Sequence, residues 1–263
     1  MSFLQSFMTQ NWEDLLLLHW PLPPEELYPT IPEDLELDLF NGQAWASVVG
    51  FRLTNLRISG LQAIPWSDFL EVNLRTYVRD RVGRRGVWFH SLDSSDLPAV
   101  LGARALYGLS YFPSAIEIEK SSKSLSFRSK RRRFWGNRRA SLKATFPIED
   151  KGLPLADSAL DRFLLERYRF WARRKLSDRS SSASVNHRPY DAHLVRDARY
   201  EGGLFEAWGM NEPVQNRSLL TIARAFLYQH PHPLGHSGRS ARQTTNKFRF
   251  QTCCNHDGDY PES

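Results

Sequence analysis

The sequence predicts an α+β protein that is mainly β, and three observations lead there. Runs of strand length alternate apolar and polar residues, as in FLEVNLRTYV at 69–78. An Asn41-Gly42 pair joins two such runs, ELDLF and QAWASVVGFRL, in the pattern of a hairpin turn. Only three short stretches shift to helical spacing.

In chain order, NWEDLLLLHW reads as a short helix capped by Asn11, with Glu13 and Asp14 in its first turn. The proline-rich WPLPPEELYPTIPEDL crosses the surface, and the Asn41-Gly42 hairpin follows. FLEVNLRTYV is the next strand, and the turn-like RDRVGRRG leads into VWFHSLD, apolar on both faces like a central strand. SSDLPAVLGARALYG then places Leu97, Val100, Leu101, Arg104 and Tyr107 on one helical stripe, between a Ser94 or Ser95 cap and the terminator Gly108. SAIEIE, SLSFRSK and SLKATFPI read as strands. ADSALDRFLLERYRFW is a further amphipathic helix, striped by Leu160, Phe163, Leu164, Tyr168 and Trp171. After the serine-rich SDRSSSAS, HRPYDAHLV and GGLFEAWGM form a last strand pair.

Beyond about Gln215 no period survives. A single domain over 1–214 and a poorly packed tail over 215–263 are therefore expected. From about Pro231 to Ser263 the chain should pack little and supply no site residue, and cutting near Gln229 should leave the melting temperature almost unchanged.

With 263 residues, 41% of them hydrophobic and 13% aromatic, the chain can bury a substantial core. The start lacks a basic head and small-residue cleavage site, and no run approaches the roughly 20 apolar residues of a membrane-spanning helix. The only cysteines, Cys253 and Cys254, are adjacent and staple nothing distant, so a cytoplasmic, soluble protein is expected. The histidines and cysteines fit no zinc spacing, and neither a Walker loop nor a dinucleotide G-x-G-x-x-G occurs, so neither metal nor cofactor is expected.

Net charge is +6, but ten cations and no acid lie between Lys120 and Lys143, leaving the remainder at −4. This basic ribbon, densest at 128–139 and carrying Phe134 and Trp135, has the composition of a single-strand or RNA contact. Its alternative, which the clustering at a turn favours, is a solvated hairpin whose cations blunt a sheet edge.

The polar side of FLEVNLRTYV poses the functional question. Leu70, Val72, Leu74 and Val78 point one way, while Glu71, Asn73, Arg75 and Tyr77 point the other. That second face either meets water or lines a pocket. The adjacent VWFHSLD implies a sheet covered on both sides, where such residues must pair with one another or hold a ligand. A sheet closing into a barrel creates such an inward wall. His90, in that neighbouring strand, reads either as a satisfied core histidine or as a base, and no G-x-S-x-G nucleophile accompanies it.

Several segments together resemble an uncharacterised bacterial family, the YqjF-like proteins. They are WEDLLLLHWPLPPEEL, LELDLFNGQAWASVVGF, FLEVNLRTYV, GVWFHSLD, ARALYGLSYFPSAI, LDRFLLERYRF and HRPYDAHL, in the family's order over roughly residues 10 to 210. The resemblance implies a fold similar to the acetoacetate decarboxylase-like superfamily: an antiparallel barrel-like sheet around a central cavity, with a few flanking helices. It places the Glu71 face in that cavity. Acetoacetate decarboxylases use a lysine Schiff base activated by a second lysine, within Gly-Arg-Glu-x-x-Gly-x-Pro-Lys-Lys. In the comparable ARALYGLSYF, Arg104 and Gly108 match, but Ala105, Ser110, Tyr111 and Phe112 replace the Glu, Pro and both lysines. Glu71 matches the decarboxylases' cavity glutamate by its place in the strand before the helix.

The expected protein is thus a small-molecule-binding barrel, or an enzyme on a carboxylate or carbonyl compound without the Schiff-base amine. Arg75 or Arg104 would hold an anion, Glu71 would act as acid or base, and Asn73, Tyr77, Tyr111 and His90 would complete the wall. The alternatives are a nucleic-acid-associated protein acting through 128–139 and a structural protein with no ligand.

Overall fold

The computed structural model describes residues 7–58, 66–132, 139–148, 153–154, 158–173, 180–187, 193–195, 197–213, 224–228 and 246–250. The chain opens with β1 (Phe7–Leu22), a one-turn helix α1 (Pro24–Leu27), β2 (Leu35–Leu37), β3 (Ala44–Ile58), β4 (Phe69–Asp80) and β5 (Arg85–Ser94). Helix α2 (Leu97–Tyr107) leads to β6 (Tyr111–Lys120), β7 (Ser124–Arg131), β8 (Ser141–Pro147) and β9 (Leu153–Pro154). Helix α3 (Ala159–Leu165) is followed by β10 (Arg169–Arg173), β11 (Ser180–Asn186), β12 (His193–Val195), β13 (Arg199–Gly202), β14 (Arg224–Tyr228) and β15 (Asn246–Phe250).

These strands form one curled sheet, a half-barrel of mixed rather than purely antiparallel pairing. Its wall runs β1–β3–β4–β5–β10–β11, and β15 pairs with both β1 and β11, bridging the margins. Strand β5 is the point of departure from the expected antiparallel sheet, since it pairs in parallel with both β6 and β10. Helix α2 separates β5 from β6, and such crossovers return a strand parallel to its partner. Close approach of β10 requires Gly86, because a Cβ there would lie 2.4 Å from the Arg169 carbonyl oxygen. Strands β6, β7, β8 and β13 continue the sheet past β5 and fold over the outside of the half-barrel.

Two apolar layers result. Leu16, Leu18, Val48, Val72 and Leu74 meet Leu125, Phe127, Leu142 and Phe146 between wall and outer strands. Inside the wall, Leu15, Leu17, Val49 and Phe51 form one cluster, and Leu92, Leu109, Phe170 and Val185 belong to another.

Several expectations need correction. NWEDLLLLHW is no helix but the middle of β1, and Asn11 pairs with Thr54 instead of capping. The leucine run is continuous because both faces of the strand are buried, Leu15 and Leu17 on one side and Leu16 and Leu18 on the other. A register shift between Glu13 and Leu16 leaves Asp14 at φ 48, so the helical-looking acids mark a bulge. The Asn41-Gly42 turn forms, closing a Phe40–Gln43 bridge, but its arms part: β2 pairs with β4, and β3 with β1 and β4.

Helix α2 ends at Gly108 (φ 66) as expected, but Asp96 rather than a serine caps it, and Leu97 and Leu101 of its stripe are exposed. Helix α3 stops at Leu165, and Trp171 lies on strand β10. The Arg167 guanidinium donates to the Phe163 carbonyl and satisfies the helix end. GGLFEAWGM forms a 3-10 turn at Glu206–Trp208, not a strand, while β12 pairs with β9 and β14.

Beyond residue 214 the unpatterned stretch nevertheless supplies β14 and β15. Tail residues His230, His232, His236, His256, Cys253 and Cys254 lie outside the described residues. Ending the chain after Gln229 removes β15 from between β1 and β11. Its loss should lower the melting temperature by about 4 °C or more in a calorimetric scan, the scale of a 1–2 kcal/mol loss. An unchanged transition would show that β1 and β11 hold their places without it.

Candidate functional site

Strand β4 builds the site through its register. Glu71 stands opposite Phe51 of β3, Asn73 between Val49 of β3 and Leu92 of β5, and Arg75 between Ser47 and Phe89. Side chains of opposed residues share a face, and Glu71, Asn73 and Arg75 all face a cavity of about 90 Å³ inside the wall. In that measure a water takes roughly 10–15 Å³, so the cavity offers about six to nine water-sized positions. Leu15, Leu17, Val49, Phe51, Phe89 and Phe170 give it a largely apolar lining.

Glu71 is 3% exposed, and its partners are neutral. The Tyr111 hydroxyl donates to Oε2 at 2.7 Å, and Asn73 Nδ2 donates to Oε1 at 3.4 Å. Burial pushes the carboxyl pKa from 4.5 up to about 7, against the opposing pull of those two hydrogen bonds and with help from Asp93. Burial, reinforced by Glu71, raises the Tyr111 phenol well above its ordinary value. Asn73 Oδ1 is buried and accepts no hydrogen bond among the described residues.

Arg75 is half-buried, and its Nε and Nη2 are buried with no hydrogen-bond partner among the described residues. Two further guanidiniums line the cavity. Arg167 binds Asp38 at 2.6 Å, and Arg169 donates to Ser182 at 3.0 Å. The cavity is therefore electropositive beside Arg75 and acidic beside Glu71.

Of the residues expected in the wall, Glu71, Asn73, Arg75 and Tyr111 come together. Tyr77 shares their face but is packed below the cavity. Its hydroxyl donates to the Leu164 carbonyl and lies 2.7 Å from Ser47 Oγ and 2.9 Å from His19 Nδ1. Arg104 does not line the cavity either, and instead grips the Tyr111 carbonyl at 2.7 Å.

His90 falls on the other side of the sheet. Leu74 pairs with Ser91 and Arg75 with Phe89, so His90 is the extra residue of a bulge, and Phe89 takes the cavity position. His90 is fully buried, 6.0 Å from the Trp208 ring, and desolvation lowers its pKa to about 3. Its imidazole is neutral, and it is not a base for this cavity.

Sequence reasoning missed Gln10, Trp12, Arg167 and Arg169, which line the cavity from β1 and from the start of β10. Both segments carry helical spacing; only the aromatic content of YRFW pointed to a strand. Among the described residues no cluster of three metal-ligating side chains exists, and no helix is long and apolar enough to cross a membrane.

A family model for DUF2071, an uncharacterized conserved protein, matches residues 9–226. The uncharacterized protein YqjF of Bacillus subtilis is 38% identical over 197 residues, covering 74% of this chain and 77% of its own. An acetoacetate decarboxylase from Legionella pneumophila superposes with a TM-score of 0.59 at 10% identity, over 93% of this chain and 85% of its own. The enduracididine biosynthesis enzyme MppR, complexed with pyruvate, gives 0.56 at 10% identity, over 95% and 89%. An acetoacetate decarboxylase-like enzyme from Sphingomonas wittichii gives 0.56 at 13%, over 96% and 92%. These likenesses show the fold.

The Glu71 carboxyl has a direct consequence for stability. The folded protein keeps its proton up to about pH 7, whereas an unfolded chain releases it near 4.5, so stability falls as pH rises through that window. The total is about 3 kcal/mol. Urea unfolding at pH 5 and pH 8 should show wild type losing about 2.5 kcal/mol more than Glu71→Gln, the part of that total that falls between them. Equal losses would mean that Glu71 is ionised in the fold at pH 5.

Proposed function

The chain belongs to the DUF2071 family of uncharacterized conserved proteins, and we propose that its half-barrel is a receptacle for a small organic anion. One observation carries this reading. The Nε–Nη2 edge of Arg75 is buried beside the cavity with neither nitrogen bonded among the described residues, and that edge is the geometry a carboxylate takes bidentately. Leaving such donors unmet is costly, and an anion in the cavity offsets the cost. Arg169 adds positive potential, while Asp38 neutralises Arg167. That MppR holds pyruvate in a similar fold is in keeping with a carboxylate.

An enzymatic reading is favoured by Glu71. A carboxyl titrating near pH 7 and hydrogen-bonded to Tyr111 is suited to move a proton to or from a bound carbonyl or carboxylate compound. The chemistry would differ from the decarboxylases'. Tyr111 points into the cavity where they carry a lysine, Phe112 packs against Arg131 instead, and no lysine lines the cavity among the described residues.

The nucleic-acid reading loses support on the outer strands. Arg128, Lys130 and Lys143 are exposed there among Glu117, Glu119 and Glu201, and Arg128 pairs with Glu119 at 3.1 Å. Residues 133–138, the tip of the ribbon, lie outside the described residues.

Calorimetric titration with short monocarboxylates should give saturable binding in wild type and none in Arg75→Met. Binding that survives the substitution would overturn the assignment of Arg75. Borohydride reduction in the presence of acetoacetate or pyruvate should leave the protein mass unchanged. A trapped lysine adduct would restore Schiff-base chemistry.

A further inference from the structure

Taking the anion reading of the cavity as its basis, we infer that the ligand is a small hydroxycarboxylate, with its carboxylate on Arg75 and its hydroxyl donated to Asn73. The unmet hydrogen-bonding atoms of the cavity form a negative image of what should fill it. Arg75 offers two donors, Nε and Nη2, which call for an anion. Asn73 offers the opposite, a buried acceptor Oδ1 that no donor reaches among the described residues. The residues opposed to Asn73 are Val49 and Leu92, and neither has a polar side chain to supply a proton. A ligand hydroxyl can supply the missing donor.

The orientation of the amide is held from the other side. Nδ2 donates to Glu71 Oε1, and Tyr111 occupies Oε2. At pH 8, above the Glu71 pKa of about 7, turning the amide over would set Oδ1 against an oxygen of the ionised carboxylate.

The two recognition points sit on one strand at positions 73 and 75, about 6.6 Å apart along it. One compact molecule can therefore reach both, and the cavity's six to nine water-sized positions admit about as many non-hydrogen atoms. A 2-oxo acid presents only lone pairs to Asn73 Oδ1 and leaves it unpaired. An amino acid would supply a donor, but its ammonium would enter a cavity that already holds Arg75 and Arg169. A hydroxyl supplies the donor without charge.

Three acids of nearly equal size separate the possibilities: lactate, with a hydroxyl; pyruvate, with a carbonyl; and propionate, with neither. Each is titrated into the full chain by calorimetry at pH 8, using both lactate enantiomers. One enantiomer should bind about tenfold or more tighter than pyruvate and propionate, the usual effect of pairing a buried acceptor. Asn73→Leu should reduce lactate to the affinity of propionate, and Arg75→Met should abolish binding of all three.

Pyruvate or propionate binding as tightly as lactate in wild type would overturn the hydroxyl assignment while leaving the Arg75 site standing. A lactate preference that persists in folded Asn73→Leu would overturn it too. If none of the acids binds wild type, the anion reading falls with it. Should Asn73→Leu fail to fold, the ranking in wild type decides alone.

Discussion

Covering strand β4 on both faces takes Glu71, Asn73 and one edge of Arg75 out of bulk water, so each must be satisfied by the protein or by a ligand. The cover on the far side comes from the outer strands, which pack Leu125 and Phe127 against Val72 and Leu74. On the near side it comes from β1, β10 and β11, which curl across the wall. Neither cover touches the chemistry directly, yet together they set it. A carboxyl with neutral partners keeps its proton up to about pH 7 only because water is excluded from both directions.

A single extra residue in β5 decides which groups reach the cavity. Strict alternation puts Leu92 and His90 on one face, and with Asn73 opposite Leu92 it would set the histidine opposite Arg75. The bulge at His90 reverses the parity, so Leu92, Phe89 and Val87 line the cavity and His90 lies beneath Trp208. The polar groups are thereby confined largely to β4, Tyr111 and the arginines, and the rest of the lining is hydrocarbon. A bulge has no signature in VWFHSLD, because residues on both faces of that strand are buried and either register looks equally apolar.

The same reason explains how far the sequence was legible. Glu71, Asn73 and Arg75 were readable because β4 is polar on one face, so its alternation is visible. β1 and β10 are buried on both faces, and a continuous apolar run carries no period. Favourable acids near LLLL and a leucine stripe through LDRFLLERYRF then imitated helices, which hid Gln10, Trp12, Arg167 and Arg169. The ends of the fold were illegible for a different reason. Strands β14 and β15 are five residues each within an irregular stretch, and what places them is pairing with β1, β11 and β12. Such long-range pairing leaves no local trace.

The protein's other buried cations sharpen the contrast at the cavity. Arg131 lies bidentate on Asp93, at 2.8 to 3.0 Å, and Arg167 meets Asp38 at 2.6 Å. In each case a buried guanidinium has its own carboxylate, which is how a fold that needs only stability offsets desolvation. Glu71 and Arg75 break that pattern. They share one face of one strand, four residues apart, and among the described residues neither has an ionic partner. Pairing them with each other would satisfy both groups and close the space between them. Held apart, they keep an acid at one end of the cavity and an unmet cation at the other, with Asn73 Oδ1 between. A carboxyl and a guanidinium left unpaired with each other inside a well-packed wall are a poor way to stabilise a fold and a direct way to hold a small polar molecule in one orientation.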